Sequence, residues 1–301
     1  MKIHIRGEIR KNEPLSRHTS FGIGGPADIF ACPIDAEDVN VLLHAFQEQN
    51  IPYFVLGGGT NLLVRDGGFR GAVICLKHMN MIKIEREYRS IGGTFFSLSA
   101  EGGALMPKLV SVAAEEGLTG FEFAAGIPGT VGGAVRMNAG TAMGDISGVI
   151  HSVTLISPDS TITIREREEI GFGYRKSSIP NGSLVLNARI SLRRDDKDKV
   201  KARVQELLDK RKERQPWRYP NAGSIFKNPN EKPAGVLIES AGLKGKKVGS
   251  AQISDKHCNF IVTIGEGKAA DVIELMDMIT KTVLDRHGVR LEPEIQIIGE
   301  D

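Results

Sequence analysis

Short strand-like runs and longer helix-like stretches alternate along most of the chain, and their spacing predicts the elements. Asp35 is suited to cap a helix whose apolar face is Val39, Leu42, Leu43 and Phe46, running to about Gln49. A strand over 28–32 precedes it and a short buried strand, Tyr53–Leu56, follows. Val73–Leu76 (73–76), 82–84 and a stretch near Ile91 predict further short strands. Leu105, Leu109, Val112 and Ala113 predict a helix ending at Gly117. Strands follow at about 149–156, 161–164 and 184–192, the first two turned by Pro158 and Asp159. The charged run 193–199 marks a change in composition and a domain boundary near Arg194. Beyond it, Val200, Val204, Leu207 and Leu208 share one helical face that Pro216 terminates. A helix over 234–241 and a strand over 259–263 come next. A long amphipathic helix then carries Ala269, Val272, Leu275, Met276, Ile279 and Val283, ahead of a final strand at 295–298. Residues 1–20 are polar and charged and read as an extension packed on something else.

Two glycine clusters interrupt this pattern. Between Phe121 and Gly140 stand five glycines, four alanines and Pro128. Each interior glycine costs a helix roughly 1 kcal/mol and a proline about 3, so the composition argues against a helix there, and equally against a strand. It suits a backbone that turns through positive φ and offers inward N–H groups to an anion such as a phosphate. A Gly-rich connection between domains has a similar composition, although the apolar Phe121, Phe123, Ile127, Val131, Val135 and Met137 are unusual for one. The second cluster, Gly57-Gly58-Gly59-Thr60-Asn61, follows a strand and could wrap a diphosphate or be a plain tight turn. It lacks the lysine of an ATP-type P-loop. Gly22, Gly24 and Ala27 formally satisfy a dinucleotide fingerprint, but no apolar strand precedes them and Pro26 interrupts, so that reading is rejected.

Composition narrows the classes. The 301 residues are enough for about two domains, and 39 basic against 37 acidic residues leave no reason to invoke nucleic acid. Cys32, Cys75 and Cys258 lie far apart in apolar surroundings, which predicts buried thiols in a reducing compartment rather than a disulfide framework or a metal site. No apolar run approaches membrane-spanning length, so the expected location is cytoplasmic. No protein partner is deducible. Among polar residues, Arg175 has the composition of a solvated surface arginine. Trp217 to Pro229 gathers Arg218, Asn221, Ser224, Lys227 and Asn228 in a loop that a structural turn would match equally well. His257 has no partner at ligand spacing. Glu294, at the entry to the last strand, is either exposed or turned inward against a partner.

Six segments occur together in order: HTSFGIGGPAD, GGGTNLLV, GLTGFEFAAGIPGTVGGAVRMNAG, FGYRKSSI, NAGSIFKNP and EPEIQIIG. In this the chain closely resembles the UDP-N-acetylenolpyruvoylglucosamine reductase family, in its shorter second class. The resemblance implies an α+β fold with an FAD-binding domain of the vanillyl-alcohol-oxidase type over residues 23–194. That domain would have subdomains at about 23–77 and 78–194, an extension at 1–22, and a C-terminal α+β substrate domain over 195–301. It places bound FAD on Gly57, Gly58, Gly59, Thr60 and Asn61. It also places FAD on Ala125, Gly126, Ile127, Pro128, Gly129, Thr130, Gly132 and Gly133, with Asn138 and Gly140 nearby. NADPH would be the co-substrate, and the enolpyruvyl sugar nucleotide the substrate. Arg175 and Glu294 would hold its carboxylate end and Ser224 would donate a proton, with Tyr174, Lys227 and Asn228 as further substrate contacts. Another FAD oxidoreductase of the same fold, such as an oxidase, has no reason to carry NAGSIFKNP with EPEIQIIG. A silent flavin or nucleotide-sugar binder has no need to retain Arg175, Ser224 and Glu294.

Overall fold

A computed structural model describes residues 3–90, 93–229 and 232–301; the strand expected near Ile91 falls outside the described residues. The chain divides into two compact units, neither continuous in sequence. The first comprises Met1–Arg10, Ile29–Gly58 and Gly71–Lys210, the second Lys11–Asp28, Gly59–Arg70 and Arg211–Asp301.

The first unit is built on an antiparallel sheet whose central strand, Leu184–Arg194, lies between Ile150–Ile156 and Gly93–Glu101. Ile162–Glu166 and Ile82–Ser90 complete its two sides, and the short strand Leu118–Thr119 pairs with the far end of Leu184–Arg194. Ala188, Ile190 and Leu192 alternate inward, facing Ala100, Leu98 and Phe96 in register. A separate four-stranded sheet has the order Glu8–Pro14, Pro26–Cys32, Phe69–Cys75, Tyr53–Leu56. Helix α1 (Ala36–Glu48) starts where expected, with the Asp35 carboxylate accepting from Glu37 N and Asp38 N. It buries Val39, Leu42, Leu43 and Phe46 against Ala72 and Ile74. Helix α2 (Met106–Glu115) packs Leu109, Val110 and Ala113 on the larger sheet.

Two stretches differ from the expectation. Residues 8–14, read from their charge as part of an extension, form a sheet strand. That strand lies at an edge, where charged side chains are tolerated because one side faces solvent, so its polarity concealed it. The argument against a helix in 121–140 also fails, because α3 (Val131–Arg136) includes Gly132 and Gly133. Its six residues are held by tertiary contacts: Val131, Ala134 and Val135 are buried, and a Cβ on Gly132 would lie 3.0 Å from the Gly102 carbonyl oxygen. Close backbone packing offsets a propensity cost of roughly 1 kcal/mol per glycine.

Helix α4 (Lys197–Arg214) buries only Val200, with Val204, Leu207 and Leu208 half-buried on the same core. Its anchor is Arg203, whose guanidinium reaches Asp195 at 2.7 Å, Glu122 at 3.1 Å and Thr119 Oγ1 at 3.2 Å. In the second unit, α5 (Ala234–Ser240) and α6 (Ala269–His287) share a core with the strands Ala251–Ile253 and Ile261–Thr263. The final strand, Gln296–Ile298, pairs in parallel with Leu62–Val64. The start of α6 is capped from far away in sequence, the two Asp66 oxygens accepting from Ala269 N at 2.9 Å and Ala270 N at 3.1 Å. The three cysteines are buried and unbridged. Among the described residues no helix is long and apolar enough to cross a membrane.

Glu122 links this architecture to pH. Burial pushes its carboxyl up, but hydrogen bonds from Thr119 and Gly120 and the nearby Arg203 outweigh that and hold it below the usual value. A depressed carboxyl contributes stability that is complete above its unfolded value and is lost as pH falls through the folded one. The midpoint of urea unfolding should therefore drop between about pH 5 and 3 in the native chain, and drop less steeply in Glu122→Gln. Parallel pH profiles for the two proteins would rule out the contribution.

Candidate active site

In the first unit the two glycine clusters meet. Gly57 and Gly58 follow the strand Tyr53–Leu56, and a Cβ on Gly58 would stand 2.6 Å from Gly129 Cα. One on Gly57 would stand 2.9 Å from Thr130 Oγ1. Only a residue without a side chain permits that approach. Gly126 and Gly129 adopt φ of 75° and 100°, which turn the chain between the buried Ala125 and the start of α3, past Ile127 and the exposed Pro128. The N–H groups of Val131, Gly132 and Gly133 are occupied within the protein, by Ala104 O, Gly102 O and Thr130 Oγ1. Among the described residues those of Gly57 and Gly58 have no hydrogen-bond acceptor. The N–H groups left for a phosphate on this side are therefore those of Gly57 and Gly58, together with those of Gly126, Gly129 and Thr130 in the facing turn, rather than those of the first turn of α3. This fits a cofactor carrying a diphosphate, with Gly129, Gly132 and Gly133 acting by close approach.

Beyond α3, Asn138 is buried with φ of 43°. Its Nδ2 donates to Gly173 O at 3.0 Å and its Oδ1 accepts from Ser147 N at 3.0 Å. Gly140 pairs with Asp145 in a two-residue ladder. Gly173 belongs to a hairpin in which Phe172 faces Ser177 and Gly173 faces Lys176, leaving Tyr174 and Arg175 at the tip. Arg175 has φ of 56° and places its guanidinium 5.0 Å from the centre of the Tyr174 ring. A non-glycine residue held in this region is strained, and such strain persists only where the surroundings impose it. Arg136, which the sequence reading passed over, helps to impose it. It donates to the carbonyls of Pro180 and Ser183, and its own carbonyl accepts from Ser177 Oγ. Burial pulls its guanidinium below the usual value. A lone arginine in the glycine-rich segment was the only signal the sequence offered.

The second unit holds the other residues. Gly59, with φ of 62°, lies against the His18 carbonyl, where any Cβ would collide. Its own carbonyl accepts from Ser20 N at 3.0 Å. Thr60 follows, half-buried, and then Asn61, whose Nδ2 donates to Glu294 O at 3.1 Å. Ser224 directly precedes a short extended segment in which Ile225 O accepts from Glu294 N at 2.7 Å and Lys227 N donates to Glu292 O at 2.9 Å. Asn61 and the Ser224 loop are thus both joined to the Glu294 backbone, Asn61 through its side-chain amide and the loop through Ile225 O. Lys227 Nζ stands 3.3 Å from the Glu292 carboxylate, and Asn228 Oδ1 accepts from Ala234 N at the start of α5. Arg175 belongs to the first unit, Ser224 and Glu294 to the second.

Residues 215–298 match the family described as UDP-N-acetylenolpyruvoylglucosamine reductase, C-terminal domain, and residues 27–164 match the FAD binding domain family. The chain is 44% identical to the UDP-N-acetylenolpyruvoylglucosamine reductase of Clostridium novyi (strain NT), over 98% of this chain and 93% of that one. It is 44% identical to that of Geotalea uraniireducens (strain Rf4), over 99% and 96%. Among solved structures it is similar to the UDP-N-acetylenolpyruvylglucosamine reductase of Thermus caldophilus. The TM-score there is 0.80 and the identity 36%, covering 98% of this chain and 99% of the other.

The strain at the hairpin tip is measurable on its own. Arg175→Gly should be about 1 kcal/mol more stable than Arg175→Ala, since both remove the guanidinium and only glycine accepts the backbone freely. Equal stability of the two variants in urea titrations would mean that the tip is not strained.

Proposed function

The chain belongs to the UDP-N-acetylenolpyruvoylglucosamine reductase family, and from that premise we propose how its residues reduce the enolpyruvyl sugar nucleotide to UDP-N-acetylmuramate. It is an FAD-dependent oxidoreductase with NADPH as co-substrate. FAD, when bound, supplies the hydride that the enolpyruvyl double bond receives. Its diphosphate is assigned to the backbone of Gly57 and Gly58, with Gly59, Thr60 and Asn61 continuing the same loop. Ala125 to Gly133, Asn138 and Gly140 provide the facing wall. The cofactor part is taken as 23–194 and the substrate part as 195–301, working in the cytoplasm.

The observation that carries the site assignment is the pairing of residues 225–227 with 292–294, which ties the serine loop to the glutamate through Glu294 N and Ile225 O. Reduction of the terminal carbon leaves negative charge at the ether-bearing carbon, delocalised into the adjacent carboxylate. Arg175 offers that carboxylate a planar two-point contact and stays cationic throughout. Its strained position supports a functional reading, because a surface arginine has no reason to occupy such a turn. Glu294 can face a second carboxylate only as the protonated acid or bridged by an arginine, since two like charges raise one of the two carboxyls. Ser224 donates the proton. Its hydroxyl is a weak acid, sufficient here because the developing carbanion is a far stronger base. Tyr174, Lys227 and Asn228 are assigned to substrate contacts, Lys227 by its charge and Asn228 by its polar amide.

Ser224→Ala should retain FAD and be reduced by NADPH at the native rate. Reoxidation by the enolpyruvyl sugar nucleotide in stopped-flow absorbance should slow by about 10²- to 10⁴-fold, and a native reoxidation rate would remove the serine from the mechanism. Arg175→Lys retains the charge but not the fork, so turnover should fall by about 10²-fold or more. Near-normal kcat and KM in that variant would discard the two-point contact.

A further inference from the structure

We infer that Asn259 is a positioning residue for the reductive chemistry, holding the Ser224 loop in register with Glu294 through a side-chain clamp on the Phe226 peptide. The inference rests on the role assigned above to Ser224. Asn259 is 2% exposed and lies 33 residues from Phe226 in sequence. Its Oδ1 accepts from Phe226 N at 3.0 Å and its Nδ2 donates to Phe226 O at 2.8 Å. Its own carbonyl accepts from Ile225 N at 2.8 Å. One residue thus satisfies three backbone groups of Ile225 and Phe226, next to Ser224, a task that a neighbouring strand performs elsewhere in the fold.

The same tripeptide carries Glu294. Ile225 O takes Glu294 N, and Lys227 N gives to Glu292 O, so movement of residues 225–227 displaces the serine and the glutamate together. Asn259 is itself fixed from behind, its N–H donating to His257 Nδ1 at 3.2 Å. That ring packs edge-on against Phe260 at 4.9 Å between centroids. Burial lowers the His257 proton affinity, which favours the neutral ring that Nδ1 needs in order to accept. Without the amide, the N–H and C=O of buried Phe226 lose their partners, and the segment shifts to recover them. A displacement on the order of 1 Å at a reacting group costs about 10²-fold in rate.

The test uses full-length, FAD-loaded protein and compares native, Asn259→Ala and Ser224→Ala chains. For Asn259→Ala the expected result is flavin reduction by NADPH at the native rate, with reoxidation by the enolpyruvyl sugar nucleotide slowed about 10- to 100-fold. Hydrogen exchange at the Phe226 amide should accelerate at least tenfold while the amides of α6 stay protected. If Asn259→Ala does not fold, Asn259→Asp is read by the same criteria, since it retains the oxygen that accepts from Phe226 N. Native reoxidation in a folded Asn259 variant overturns the positioning role, as does an equal loss in both half-reactions. Native reoxidation in Ser224→Ala overturns the serine assignment and the positioning claim with it. Collapse in Ser224→Ala without an effect at Asn259 overturns the positioning claim alone.

Discussion

The meeting of the two glycine clusters in the first unit depends on one contact, the backbone of Gly58 against the backbone of Gly129. A methyl group at position 58 would overlap Gly129 Cα at 2.6 Å, and one at position 57 would press on Thr130 Oγ1. Two segments 71 residues apart therefore approach to a separation that no other residue type allows. Thr130 stands at the junction. Its hydroxyl caps α3 through Gly133 N while facing Gly57. Because α3 is only six residues long and contains two glycines, its stability is tertiary. The helix exists where Val131, Ala134 and Val135 fill the core beneath the strand Leu184–Arg194.

Asparagine side chains perform the equivalent service for the loops. Asn138 joins the end of α3 to the hairpin that carries Arg175, Asn61 holds the Glu294 peptide, and Asn259 holds the segment after Ser224. An amide matches a peptide group, with one acceptor and two donors on a short stem. It can therefore complete a loop's hydrogen bonding where no strand is available. Loops held in this way keep the irregular backbone a site needs while losing the freedom such backbone usually has.

At the Arg175 turn, local preference is overridden in favour of placement. A glycine would occupy φ of 56° without cost, and the chain uses glycine freely at such angles elsewhere, as at Gly126, Gly129 and Gly288. At the hairpin tip it keeps a guanidinium instead. Arg136, Asn138 and Ser177 supply the hydrogen bonds that hold the turn in place. Such strain is tolerated because the surrounding contacts over-determine the loop.

Burial period and backbone preference are local properties, and what they govern was legible in the chain alone. The faces of α1 and α6, the Asp35 cap and the strand Tyr53–Leu56 all follow from residues a few positions apart, while the family was legible from six segments in order along the chain. Tertiary structure decided the rest. It made a helix of Val131–Arg136 against its composition, turned the charged Glu8–Pro14 into an edge strand, and capped α6 with Asp66. It also set Asn259 on Phe226. Each of these depends on a partner brought close by folding, and a hydrogen bond or a close approach between residues far apart leaves no periodic trace in either segment.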